Sequence, residues 1–194
     1  MFVEAIVVGI IVGFILKGSF ENLIKIDIRY WYLIVVAGAV EVITVYIRKN
    51  EIEPLWAIVD QRVILIKILI YGLLLFTTIY NHKVPGMWFI ITGLFLNGLV
   101  ILFNGGRMPV DLLRISDLIK PEQIEYMRAG KDLAHDLLVE DTRLKFLADI
   151  IHIKRPYPFP KSISIGDIWM NIGVMIMIIK CMKEPFGSNQ DRLT

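Results

Sequence analysis

The sequence has little of what builds closed metal or disulfide sites. One cysteine, Cys181, and three histidines occur in 194 residues. A single thiol forms no disulfide within a chain, and neither His nor Cys recurs at zinc-ligand spacing, so no metal and no cofactor is expected. Net charge is also scarce, because 21 Lys+Arg against 19 Asp+Glu leave only +2. The basic residues sit in loops interleaved with acids rather than in a stripe, which excludes nucleic acid as a partner. Over long stretches charge is almost absent altogether.

Those stretches define the chain. Hydrophobic residues make up 56% of it, with a mean hydropathy of +0.62, against roughly 45–50% in soluble domains. Five runs are nearly uniformly apolar: 2–16, 30–47, 63–80, 87–103 and 163–182. A helix apolar on every side needs an apolar solvent on every side, and runs of this length approach the ~30 Å hydrocarbon thickness of a bilayer. The fold class predicted is all-α, a polytopic integral membrane helical bundle of about five spans, with membrane lipids as partners. No basic leader precedes the first run and Lys17-Gly18-Ser19 is a poor cleavage site, so that run reads as a retained anchor in the cell membrane.

Three regions follow: spans one to four over 1–103, a polar segment over 104–162, and span five with a short polar tail over 163–194. The polar segment holds ten Lys+Arg and nine Asp+Glu, about half of all the charge. Within it Leu133, Leu137, Leu138, Leu144, Leu147, Ala148 and Ile151 recur at helical spacing, with Lys131, Asp132, His135, Asp136, Glu140 and Arg143 on the other face. The spacing predicts an amphipathic helical cap between spans four and five, and a shorter amphipathic helix over 110–119 ending before Pro121. Residues 17–29 read as an interfacial segment, and Pro85-Gly86 as a tight turn. Lys and Arg near the span ends divide eight against seven between the two faces, so charge does not choose an orientation.

Ionisable groups inside apolar runs are functional candidates by default. Glu41 and Lys67 are placed to pair across the second and third spans, as a structural ion pair or as one step of a relay. Gly9 and Gly13 form a GxxxG that permits close helix approach. After span four, Asn104, Gly105, Gly106 and Arg107 form a turn in which Arg107 can grip a carboxylate or phosphate with two prongs, or simply snorkel. Asp149 precedes, and Asp167 opens, the last span, so both carboxylates reach one depth at one surface. Facing carboxylates cannot both ionise, and a pair sharing one proton can activate water for amide hydrolysis. Two structural alternatives stay open. Ser164-x-x-Asp167 matches a capping box, and Asp149 could pair with Arg143 or Lys145.

Ala148-Asp149-Ile150-Ile151, followed after Phe159-Pro160 by Ser164-Ile165-Gly166-Asp167, resembles the active-site region of lipoprotein signal peptidase (signal peptidase II). That family carries a Val-Val-Asp-Phe element and then an Asn-x-Ala-Asp element opening its final helix, with Ser164 here in the place of the Asn. The resemblance implies an aspartic peptidase with Asp149 and Asp167 catalytic. It further matches Asn104 and Gly106 to that family's Asn-x-Gly near the substrate and Arg143 to its Arg-Leu, with Ser164 in the Asn position, while Arg107 is expected from its place in the turn to help hold a peptide or lipopeptide substrate. The chain as a whole is similar to uncharacterised bacterial membrane proteins of like length. A hydrolase of this kind requires the 104–162 segment outside the cytoplasm and the C-terminus inside. The rival expectation is a non-enzymatic scaffold or accessory subunit whose charged segment binds a partner. A transporter would need more polar groups in the spans than Glu41, Lys67, Asn97 and Asn171.

Overall fold

The computed structural model describes residues 2–112, 121–158 and 160–184. Its helices are α1 (Phe2–Ile15), α2 (Phe20–Ile24), α3 (Trp31–Lys49), α4 (Leu55–Tyr80), α5 (Met87–Phe103), α6 (Pro121–Arg128) and α7 (Ile165–Lys183). Four short strands are β1 (Met108–Val110), β2 (His135–Leu137), β3 (Ile151–Ile153) and β4 (Lys161–Ile163). Each of the five apolar runs is a helix. Three of them, α3, α4 and α7, are long and apolar enough to cross a membrane. The 14 residues of α1 and 17 of α5 reach only about 21 Å and 26 Å, at ~1.5 Å per residue. Helix α4 begins well before its apolar run, and the Asp60 this adds is matched by Arg48 of α3, whose Nε donates to Asp60 Oδ1 at 2.9 Å.

The outward faces are unlike those of a water-soluble bundle. Ile11 and Phe14 of α1, Val35 and Val42 of α3, and Leu65 and Leu69 of α4 are all exposed, forming apolar surface far beyond the isolated patches that water tolerates. At one end an aromatic group gathers, with Tyr30 edge-on to Tyr80 at 4.7 Å between centroids and exposed Trp31 and Trp88 beside it, as at a bilayer boundary. Asn81 locks this end: its Nδ2 donates to the Arg29 carbonyl at 2.8 Å, and its Oδ1 accepts from the Arg29 N–H at 3.0 Å.

Helix α7 is the hub, packed on α5 and α1. Against α5 it runs antiparallel, and glycines make the contact. A Cβ added at Gly166 would lie 2.7 Å from Asn97 Cγ and 2.8 Å from the Gly93 carbonyl oxygen, and one at Gly173 would lie 2.7 Å from the Gly86 carbonyl oxygen. Gly86 and Gly93 on one helix thus face Gly173 and Gly166 on the other, at the same seven-residue interval, so the backbones touch. Against α1 the helix runs parallel. A Cβ at Gly9 would meet Ile178 Cβ at 3.2 Å, and one at Gly13 would meet Met182 Cβ at 3.4 Å, so the GxxxG is a packing seam. Ala5, Val174, Ile178 and Met182 form the core there. The 17–29 segment closes the far end of α7, where the Ser19 N–H donates to the Met182 carbonyl at 2.8 Å and Asn22 Nδ2 to the same oxygen at 3.0 Å, satisfying a carbonyl the helix leaves open.

The cap corrects the amphipathic helix predicted over 133–151. It is a small β structure. Strand β1 pairs in parallel with β2, Met108 opposite His135 and Val110 opposite Leu137. On its other side β1 meets Asp149, whose N–H donates to the Pro109 carbonyl at 3.0 Å. Strands β3 and β4 form an antiparallel hairpin leading into α7. Local side-chain bonds divert the chain from helix, because Asp132 Oδ1 accepts from the Ala134 and His135 N–H groups at 2.8 and 3.1 Å, and Thr142 Oγ1 accepts from the Val139 N–H at 2.9 Å. Such bonds compete with helical ones, and Leu144 with φ +53° interrupts the run besides. The apolar positions are still used, since Leu147 packs with Val100, Ile101 and Met108. Most of the helix predicted over 110–119, Phe159 and the polar tail after Glu184 lie outside the described residues.

Gly166→Ala and Gly173→Ala are expected to lower thermal stability in detergent by about 1–3 kcal/mol each, the usual cost of overpacking. Gly38→Ala and Gly72→Ala, where an added Cβ meets nothing within 4 Å, are expected to be neutral or mildly stabilising.

Candidate functional site

Where α4, α5, α7 and the cap converge there is a cavity of about 220 Å³, lined chiefly by polar groups. Glu41 and Lys67, Tyr71 and Asn97 come from the helices, His135 from β2, and Asp149 and Asp167 complete it. The two aspartates singled out in the sequence therefore share one cavity although 18 positions separate them. The strand bridge to β1 delivers Asp149, and the N-terminus of α7 delivers Asp167.

The two carboxyls are held differently. Asp167 is the third residue of a full capping box. Its N–H donates to Ser164 Oγ at 2.9 Å and its Oδ2 accepts from the Ser164 N–H at 3.1 Å. Its Oδ1 accepts from Asn97 Nδ2 at 2.9 Å, and Ser164 Oγ donates to Asn97 Oδ1 at 2.9 Å. Asp149 is buried, and its Oδ1 has no hydrogen-bond partner among the described residues. Burial, and then the negative charge of Asp167, push the Asp149 carboxyl from its ordinary 3.8 up to about 7, with His135 opposing. A group that must ionise away from water gives up its charge. Neither alternative partner reaches it, since no ion pair to Arg143 or Lys145 forms among the described residues.

The remaining walls are charged as well. Lys67 Nζ meets Glu41 Oε1 at 2.6 Å and Oε2 at 2.8 Å, so the predicted pair forms. Asp132 faces His135 Nδ1 at 3.6 Å and raises the proton affinity of that imidazole against the effect of burial. A second polar group in the cap lies outside the cavity. There the cross-strand neighbours His152 and Ser162 meet Nδ1 to Oγ at 2.9 Å, and Asp111 Oδ2 stands 3.4 Å from His152 Nε2.

The other residues picked out in the sequence do not line this cavity. Asn104 is committed to backbone, donating to the Val100 and Arg143 carbonyls at 2.7 and 2.9 Å and accepting from the Arg143 N–H at 2.9 Å. Gly106, at φ +87°, turns the chain against Val63 and Ile64. Arg107 Nη2 stands 3.9 Å from Asp60 Oδ1, the Arg143 side chain is exposed, and Ser164 is wholly buried as the cap of α7. What the sequence pattern does not mark is Asn97 as the partner of Asp167, and His135, which it places only on the polar face of an amphipathic helix. The signal for Asn97 was available: a lone amide in an apolar run, four positions after Gly93.

A polar cavity beside a β-paired cap, with three helices long and apolar enough to cross a membrane, defines a mostly helical protein with candidate membrane spans. Within that class the chain belongs to DUF5317, described as a family of unknown function, whose model matches residues 25–179. It is also similar to an uncharacterized protein of Thermotoga maritima, 25% identical over 193 residues that cover 100% of this chain and 98% of the relative. No solved structure matches it.

Because folding favours the protonated Asp149, its contribution to stability is complete below about pH 4 and is lost as pH rises to about 7. Denaturation in detergent should show that decline, worth up to roughly 4 kcal/mol at ~1.36 per pH unit. Asp149→Asn should flatten it; an unchanged slope in that variant would place the titration elsewhere.

Proposed function

We propose that this protein is a multi-pass membrane protein in which α1 and α5 join α3, α4 and α7 to make five crossings. In this reading it is an aspartic hydrolase cutting a peptide or lipopeptide at the bilayer boundary. The observation that carries the reading is the pair Asp149 and Asp167 in one polar cavity, one carboxyl with no partner on its Oδ1 among the described residues and the other accepting a hydrogen bond on each oxygen. The alternation of helix directions supports five crossings, with α7 antiparallel to α5 and parallel to α1. The exposed apolar faces support the membrane setting.

The chemistry needs only these two groups and water. The ionised carboxylate takes a proton from water while the water oxygen bonds to the amide carbon. The protonated carboxyl gives its proton to the carbonyl oxygen. The tetrahedral diol then collapses: the C–N bond breaks, the nitrogen takes the proton held by the first carboxyl, and one hydroxyl proton returns to the second. A cavity of about 220 Å³ encloses the reacting bond rather than a whole substrate, so the rest of the chain lies along the cap. There the exposed Arg143, and Arg107 near Asp60, meet its polar part, while Asn104, Gly106 and Ser164 hold the backbone behind the cavity. The cap faces away from the cytoplasm and the C-terminus faces into it.

A non-enzymatic scaffold is the second reading, favoured by the capping box that already employs Asp167. A separate cavity of about 400 Å³ also favours it, lined by Arg48, Lys49, Tyr126 and Lys131 beside Glu122 and Asp132, where a charged partner could dock.

Purified protein in proteoliposomes, digested against peptide and lipopeptide libraries with products read by mass spectrometry, decides between them. The hydrolase reading expects cleavage that Asp149→Asn and Asp167→Asn each reduce at least about a thousandfold, the scale of losing an acid or base. No cleavage by the wild type, or equal cleavage by both variants, leaves the scaffold. Orientation is tested separately. Cys181 is wholly buried, so a cysteine placed at exposed Glu140 should react with an impermeant maleimide from outside intact cells.

A further inference from the structure

Asp149 and Asp167 face the same charges, yet their hydrogen-bond surroundings are opposite. Glu41 from α3, Lys67 and Tyr71 from α4, and His135 from β2 all line the cavity with them. Lys67 is engaged by both oxygens of Glu41, so neither aspartate has a cation to itself. What separates them is donors. Two N–H groups point at Asp167, one on each oxygen, from Asn97 and the Ser164 backbone. Asp149 Oδ1 is buried with none among the described residues.

The Asn97 amide turns its oxygen to Ser164 and its nitrogen to Asp167. Ser164 Oγ receives the Asp167 N–H and turns its own proton to Asn97 Oδ1. That leaves the amide nitrogen, a donor in any state, facing Asp167. A carboxylate bonded by two donors keeps its charge, and a donor cannot serve a protonated oxygen that needs an acceptor. Gly166 leaves the space this amide occupies, since a Cβ there would lie 2.7 Å from Asn97 Cγ.

We propose that Asn97 is a positioning residue that fixes the shared proton on Asp149, leaving Asp167 the base, and that Asp149 is therefore a carboxyl modified selectively by hydrophobic carbodiimides. The assignment deepens the hydrolase reading and rests on it for its catalytic consequence, whereas the modification reads the proton directly. In that reaction the carboxyl proton moves to a carbodiimide nitrogen and the carboxylate oxygen bonds to the central carbon. The acyl group then shifts from oxygen to nitrogen, giving a stable N-acylurea with no atom lost. It requires a protonated carboxyl reachable from an apolar phase. Asp149 meets the first condition, and a cavity set among membrane-type helices meets the second. Glu41, both of whose oxygens are engaged by Lys67 Nζ, is expected to stay unmodified.

The experiment treats the full chain in proteoliposomes with dicyclohexylcarbodiimide and locates the adduct by peptide mass spectrometry. The wild type should carry it on Asp149 and not on Asp167, with labelling falling as pH passes about 7. Asn97→Leu removes one charge-assisted donor and should raise labelling of Asp167 about tenfold. Ser164→Ala, which frees the amide to turn, should move label the same way and serves if the leucine variant does not fold. Label mainly on Asp167, no label on Asp149, or an Asp149-to-Asp167 ratio unmoved in the folded variants overturns the assignment. Expected labelling without any peptide cleavage keeps the assignment and sinks the hydrolase. Cleavage dependent on both aspartates with the label on Asp167 does the reverse.

Discussion

The contact between α5 and α7 is the constraint on which the rest depends. Backbones approach this closely only where Gly86 and Gly93 meet Gly173 and Gly166. In the proposed membrane setting there is no hydrophobic gain in bringing two helices together, so dispersion at close range and hydrogen bonds between helices must do it. The same approach sets Asn97 of α5 against the first turn of α7, where its amide completes the capping of Ser164 and Asp167. A packing device and a polar device are thus one structure: Gly166 is small because Asn97 stands where its side chain would be.

Charge in the helical region is distributed by the same economy. Glu41 is matched by Lys67 and Asp60 by Arg48, each pair across α3 and α4, so that burial leaves no charge alone. Asp149 breaks this pattern. It is delivered by a strand bridge rather than a helix, it is buried, and its Oδ1 lacks a donor. A buried polar atom left unsatisfied calls for a reason. Departures of this kind from local consistency concentrate at functional places, which is why the cavity, and not the larger one beside α6, is the candidate site.

The helical part was legible because its signal is local. The five apolar runs became helices, and their faces became lipid-like surface, since composition alone decides that a helix apolar all round needs no water. The Glu41–Lys67 pair was legible for the same reason: two opposite charges in adjacent apolar runs have nowhere else to go. The cap was not. Leu133, Leu137, Leu144 and Leu147 keep helical spacing, yet the side chains of Asp132 and Thr142 capture the backbone N–H groups a helix would have used. The leucines are buried or partly buried against other elements instead. Periodicity records which residues are buried, and in a short polar segment with many Asx and Thr bonds it does not record how.

The sequence by itself determined that this is a helical protein with membrane-type surfaces, that one segment concentrates the charge, and that Ser164 and Asp167 begin the last helix. These are consequences of composition and of spacing within a few residues. Only the tertiary structure decided that Asp149, Asp167 and His135 line one cavity, and that Asn97 stands between the capping serine and the second aspartate. Those placements come from glycine-mediated helix approach and from strand pairing between distant segments, interactions whose partners no local pattern names.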